Sequence, residues 1–135
     1  MILSARILKD CAGVNSFEYG DSVKFTKGDS VDVFFVLINS DLDTATEGFI
    51  PPGRRYVPAV SATLTCTIEN IDDAKTLTRV AVQPYVGDAS VWKISFLSTD
   101  TVEGTANLRL TLIEGAKTTR GVLRNAFRIQ SDSNC

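Results

Sequence analysis

The sequence has no histidine at all. Histidine is the commonest general base near neutral pH and the commonest metal ligand, so no Ser-His-Asp or Cys-His site can be built within this chain. Cysteine is scarce: Cys11, Cys66 and Cys135 lie far apart, with no CxxC pair. That spacing argues against a zinc site, and an odd count does not suggest a secreted disulfide framework. Free thiols, no intrachain disulfide and synthesis in a reducing cytoplasm are expected. No apolar run approaches the roughly 18 residues of a membrane span. The N-terminal stretch MILSARILKDC is interrupted by Arg6 and ended by Lys9-Asp10, so it does not read as a signal peptide.

An excess of either charge is also missing. Lys and Arg total 14 against 16 Asp and Glu, a net charge of −2. Nucleic-acid binders carry a basic excess, so no nucleic-acid partner is expected. GxGxxG and Walker patterns are absent. The carboxylate pairs Asp29/Asp32, Asp41/Asp43 and Asp72/Asp73 fall in turn-like segments, where Asp bonds nearby backbone. They offer neither the two-acid cleft of a glycosidase nor a DxDxDG calcium loop. Cys66 stands between Leu64 and Ile68 on an apolar face and reads as a small core residue. No catalytic residue, metal site or cofactor is expected.

What is present is alternation. At 135 residues, 44% hydrophobic and 22% charged, the chain suits one domain, 1–135, with a real core. Apolar and polar residues alternate over most of it, the period of half-buried strands. Residues 2–9 form a weakly patterned first strand or one to two helical turns. A loop containing Gly13, Asn15 and Gly20 follows. Val23–Thr26 is a short strand, Lys27-Gly28-Asp29 a turn, and Ser30–Ile38 an apolar strand covered on both faces. Val60–Asn70 turns Ala62, Leu64, Cys66 and Ile68 to one side. Thr76–Gln83 is a strand stopped by Pro84. Val91–Leu97 places Trp92, Ile94 and Phe96 together, and Thr105–Glu114 does the same for Leu108, Leu110 and Leu112. Lys117–Gln130 is the last strand. Ser98–Glu103 has room for a single helical turn, and the polar tail 131–135 is expected to fray. Seven to nine short strands with regular turn signals predict an all-β, antiparallel β-sandwich of Ig-like shape. The Ig Cys…Trp…Cys spacing is absent, so no inter-sheet disulfide is expected.

The segment LRLTLIEGAKTTRGVLRNAFRI fixes a register. Glu114-Gly-Ala-Lys117 reads as a two-residue type II′ hairpin with Gly115 first. Glu114 then faces Lys117, Leu112 faces Thr119, Leu110 faces Gly121 and Leu108 faces Leu123. Phe127 and Ile129 continue the inward face, while outside Arg109 opposes Val122 and Asn107 opposes Arg124. A slip by one residue would expose Leu123, Phe127 and Ile129, each worth about 1.5–3 kcal/mol when buried. Arg109, Arg124 and Arg128 consequently share an outer face, either plainly solvated or turned toward acidic groups of a partner protein.

Twenty-one residues without periodicity separate Ile38 from Val60, more than the roughly 12–15 of an ordinary loop. This loop, 39–59, carries GFIPPGRRYVP. Pro51-Pro52 stiffens it, and aromatic residues and arginines are the groups enriched at interface hot spots. Phe49, Ile50, Pro51, Pro52, Arg54, Arg55 and Tyr56 are therefore candidate contacts between subunits. The alternative is that Phe49 and Ile50 fold back as a lid over one end of the domain.

The layout KGDSVDVFFVLIN…VPAVSATLTCTIEN…VWKISFLSTDTVEGTANLRLTLIEG…NAFRI resembles a phage virion module. It is similar to the N-terminal β-sandwich domain of baseplate upper proteins and of related tail-fibre or appendage attachment domains. The shared parts are the Gly28-Asp29 turn, the 60–70 strand, the Asp100-Thr101 to Gly104 turn, the Glu114-Gly115 hairpin and the Phe127-Arg128-Ile129 ending. The likeness covers roughly 23–130. It implies a non-catalytic structural or assembly subunit of a tail, baseplate, adaptor or head accessory, in contact with other virion proteins and copies of itself. It also implies residence in the virion after synthesis in the host cytoplasm. Family members often continue into a coiled coil or receptor-binding region, so a chain ending at Cys135 suggests a stand-alone component. A capsid decoration protein and a carbohydrate- or receptor-binding module are the alternatives. The last would need exposed aromatics, and Trp92 falls on the core face.

Overall fold

A computed structural model of the chain describes residues 2–8, 19–20, 22–39, 55–72, 75–84, 87, 89–97, 99–100 and 103–130. Among these residues there are nine strands and no helix: β1 Leu3–Leu8, β2 Tyr19–Gly20, β3 Val23–Thr26, β4 Val31–Asn39, β5 Thr63–Asn70, β6 Thr76–Val80, β7 Val91–Phe96, β8 Gly104–Glu114 and β9 Lys117–Gln130. The all-β expectation holds. Within the stretch 2–9, Leu3–Leu8 form a strand, and Gly20, expected in a loop, belongs to β2, which pairs with β1.

The expected pair of antiparallel sheets is replaced by one mixed sheet. Its strands run β6-β5-β8-β9-β1-β4-β7, with β2 and β3 as side branches. Just past β6, Val82 and Lys93 exchange backbone hydrogen bonds of 3.0 and 2.8 Å, so the two ends of the path meet in a nearly closed barrel. Two pairings are parallel: Leu3 of β1 lies beside Gly121 of β9, and Val23–Thr26 run beside Phe127–Gln130. Period-2 alternation reports which face a residue takes but not which strand lies next to it, or in which direction.

The faces follow the alternation. Leu3, Ala5 and Ile7 (β1), Val33, Phe35 and Leu37 (β4), Leu64, Cys66 and Ile68 (β5), Trp92, Ile94 and Phe96 (β7), and Leu108, Leu110 and Leu112 (β8) fill the interior. Phe25, Phe96 and Phe127 pack with ring centroids 5.3–6.1 Å apart, in tilted and edge-on geometry that suits their quadrupoles. On the other side of β4, buried Val36, Ile38 and Val91 pack with half-buried Leu8 and Phe34 in a second cluster, so that strand is covered on both faces only toward its C-terminal end, while Ser30 and Asp32 are exposed.

Cys66 is fully buried and free; Cys11, Cys135 and the tail lie outside the described residues. Burial pushes the Cys66 thiol up to about 12, because a thiolate there would lack water. Cys66 is accordingly expected to resist Ellman's reagent in the native protein and to react once urea unfolds it. Titration of the native Cys66 at the rate of an exposed thiol would contradict its placement.

The β8–β9 hairpin keeps its expected register from Glu114↔Lys117 through Leu108↔Leu123. Gly115 has φ +61, while Ala116 is not in the positive-φ region, the signature of a type II′ turn. The expected Asn107–Arg124 pair does not form. The register shifts between Ala106 and Leu108, so that Ala106 pairs with Phe127. Asn125 sits in this bulge with φ 55, and its N–H donates to Asn107 Oδ1 at 2.9 Å. Asn is the non-glycine residue that tolerates this conformation best, which is why the bulge falls there.

Candidate functional site

Three surface features combine exposed chemistry with a defined scaffold. The first is the root of the long loop. Ile38, in the last turn of the pleat of β4, pairs with Arg55, and the Tyr56 N–H donates to Leu37 O at 2.8 Å. Arg55 and Tyr56 thus lie beside the end of β4. Arg55 Nη1 donates to Ser90 Oγ at 2.9 Å. The Tyr56 hydroxyl donates to Glu114 Oε1 at 2.7 Å, and the Ala59 N–H donates to Glu114 Oε2 at 3.2 Å. Glu114 raises the Tyr56 phenol above its ordinary value, chiefly by accepting this hydrogen bond. One hairpin carboxylate therefore fastens the returning arm. The residues next in sequence to Tyr56, Ala59 and Glu114 are apolar and exposed: Val57 (49% exposed), Val60 (fully exposed) and Ile113 (41%).

Of the expected contact residues, Arg55 and Tyr56 lie at this root, partly buried against their own domain. Phe49, Ile50, Pro51, Pro52 and Arg54 lie outside the described residues.

The second feature is the outward side of β8 and β9, where Arg109, Arg124 and Arg128 are each exposed. Arg109 is engaged within the domain: its Nε and Nη2 donate to Glu69 at 3.1 and 3.4 Å, which holds the Glu69 carboxyl below its ordinary value. The bulge turns Arg124 and Asn125 into a cleft of about 490 Å³, shared with Glu69, Asn70, Ile71, Thr76 and Asn107. Arg128 is elsewhere, beside Lys24 of β3 and Thr105 of β8.

The third feature is the seam where β6 meets β7, which the sequence reading passed over. Arg79 Nη2 donates to Asp100 Oδ2 at 2.5 Å, and the same oxygen accepts the Leu97 N–H at 2.7 Å. Arg79 has the parity of Leu77 and Ala81, which face the core. A charge at an inward position of a short strand was the signal available. The Leu97 N–H and then the Arg79 guanidinium hold the Asp100 carboxyl below its ordinary value.

Because the folded value lies below the unfolded one, this contribution is complete above the unfolded carboxyl range near pH 4 and disappears as pH falls through the folded value. Asp100→Asn is thus expected to be less stable than the parent at pH 7, with the gap closing in acid. Urea midpoints measured across pH test this, and a gap that persists unchanged to about pH 2 would contradict it.

No protein-family model matches the chain, and no curated protein sequence matches it. Among the described residues no group of three or more Cys, Asp or Glu side chains is arranged to hold a metal ion.

Proposed function

We propose that this protein is a non-catalytic assembly subunit of a phage particle, working through contacts with copies of itself and with other virion proteins. The observation that carries the reading is the loop root. Val57, Val60 and Ile113, all exposed, adjoin in sequence Tyr56, Ala59 and Glu114, the residues through which one carboxylate pins the chain in place. Clustered apolar exposure usually marks a contact site, and a pinned backbone lowers the ordering cost of docking. The motifs that resemble those of baseplate and attachment domains supply the virion context. Phe49, Ile50, Pro51, Pro52 and Arg54 would extend the contact from this root. Tail, baseplate, adaptor, head accessory and capsid decoration roles all fit the same surface.

Copies in a particle obey closed symmetry, so a ring or trimer is expected. Light scattering coupled to size exclusion should return a discrete multiple of the chain mass. Val60→Asp should reduce it to a monomer with an unchanged melting curve, since Val60 has no burial to lose. A wild-type chain that stays monomeric at its highest soluble concentration would overturn self-association through this surface.

The polar cleft at the bulge supports a second reading, a carbohydrate- or receptor-binding module. Glu69, Asn107, Arg124 and Asn125 offer the mixed donors and acceptors that a polyhydroxylated ligand needs. No aromatic side chain lines it, which ranks this reading second.

A further inference from the structure

Among the described residues the barrel closes at a single rung between β6 and β7 and parts below it. The Val82–Lys93 pair sets a register that would next join Val80 to Ser95 and Thr78 to Leu97, and neither pairing forms. On the β5 side, Asn70 N–H bonds Lys75 O at 2.8 Å and Ala81 N–H bonds Leu64 O at 2.9 Å. Odd-numbered residues of β6 therefore serve β5. Thr76, Thr78 and Val80 turn their N–H and C=O groups toward the seam, as alternation in an antiparallel ladder requires. By the same rule Ser95 and Leu97 of β7 turn theirs toward it.

At the Thr78/Leu97 level a chain of side chains replaces the missing rung. Thr78 O accepts from Arg79 Nη1 at 3.0 Å, Arg79 Nη2 reaches Asp100 Oδ2, and Asp100 Oδ2 takes the Leu97 N–H. Directly inside lies an open cavity of about 230 Å³, lined on its apolar side by Ile68, Leu77, Phe96, Ala106 and Ile129 and on its polar side by Asn70, Lys75, Thr76, Thr99 and Asp100.

We propose that this seam accepts one extended segment of a partner protein. Its backbone pairs with the Thr76–Val80 edge, and one of its apolar side chains enters the cavity between Leu77 and Phe96. Main-chain donors and acceptors alternating along a strand edge are matched in spacing by another extended backbone, the basis of strand addition. A small apolar molecule would suit the cavity but leave that row unmet. The Arg79–Asp100 bridge must give way for the segment to enter. An inward-pointing charge also keeps an edge from pairing indiscriminately, so the bridge makes docking selective. The proposal rests on the assembly reading for the source of the segment and names the surface that would receive it.

The test uses the full chain as bait for a displayed library of random nonapeptides, followed by synthesis of the enriched ones. Enriched peptides should alternate apolar and polar residues. They should lose binding when alternate amides are N-methylated, and on binding they should slow amide exchange at Val80 and Ser95. Val80→Pro, which removes a seam-facing N–H without touching the β5 ladder, should abolish binding. Asp100→Asn should bind roughly fivefold tighter, because no ion pair has to be broken. No enrichment, or binding indifferent to N-methylation, overturns the proposal. The methylated peptides need no protein variant, so they decide the matter even if Val80→Pro folds poorly. Peptide binding is read on the isolated chain, so its failure leaves the self-association result standing, and the converse also holds.

Discussion

Gly121→Ala is expected to destabilise the protein by about 3 kcal/mol or more, at the upper end of what overpacking costs. The sign is opposite to the local rule. In an ordinary strand alanine is better than glycine by roughly 0.5–1 kcal/mol, since glycine loses more backbone freedom on folding. Space decides the matter here. A Cβ at position 121 would run into the backbone carbonyl oxygen and carbon of Leu3, and the Leu3 Cβ would lie 3.1 Å away. A backbone cannot rotate aside as a flexible side chain can. The Leu3–Gly121 pair is also the junction of the fold: it joins β6-β5-β8-β9 to β1-β4-β7. Moving β1 outward would loosen Leu3, Ala5 and Ile7, which are all fully buried or nearly so. Urea unfolding compares the two proteins directly. A midpoint equal to the parent's would mean that β1 does not lie against β9 at this point.

Leu110→Ala is expected to cost about 2–5 kcal/mol, by lost transfer energy plus the cavity left behind. Leu110 is 1% exposed and sits mid-strand, between Cys66 on β5 and Gly121 on β9. Its neighbours are poor at filling a void: Gly121 has no side chain, and Cys66 is short and fixed by its own ladder. The loss should fall toward the upper half of that range. A change below half a kcal/mol would show that Leu110 does not face the core.

Much of this fold was legible because burial on one face imposes a period of two. Leu108, Leu110, Leu112 and Leu123 fixed the hairpin register, and Gly115 fixed its turn. What alternation cannot carry is the identity of a neighbour. The parallel β1–β9 and β3–β9 contacts join distant segments, and the one local hint was a glycine, Gly121, inside an otherwise regular strand. The bulge was written in Asn125, a residue that accepts a left-handed backbone, but an unbroken register through Asn107 and Arg124 hid it. The candidate site was half legible. GFIPPGRRYVP marked an unusual loop, yet Glu114, which pins its root, read only as a hairpin residue facing Lys117. The seam was missed because Arg79 was counted within an ordinary strand. An arginine on the parity of Leu77 and Ala81 instead marks a place where the wall of the barrel is not sealed.

The central claim is that the chain belongs to an assembled phage particle. Mass spectrometry of virus particles purified from cultures in which this sequence is expressed from its own genome tests it most directly. The account predicts peptides of this chain in intact, nuclease-treated virions, in a fixed ratio to the major structural proteins. Its presence in the lysate together with its absence from the virions would contradict that claim.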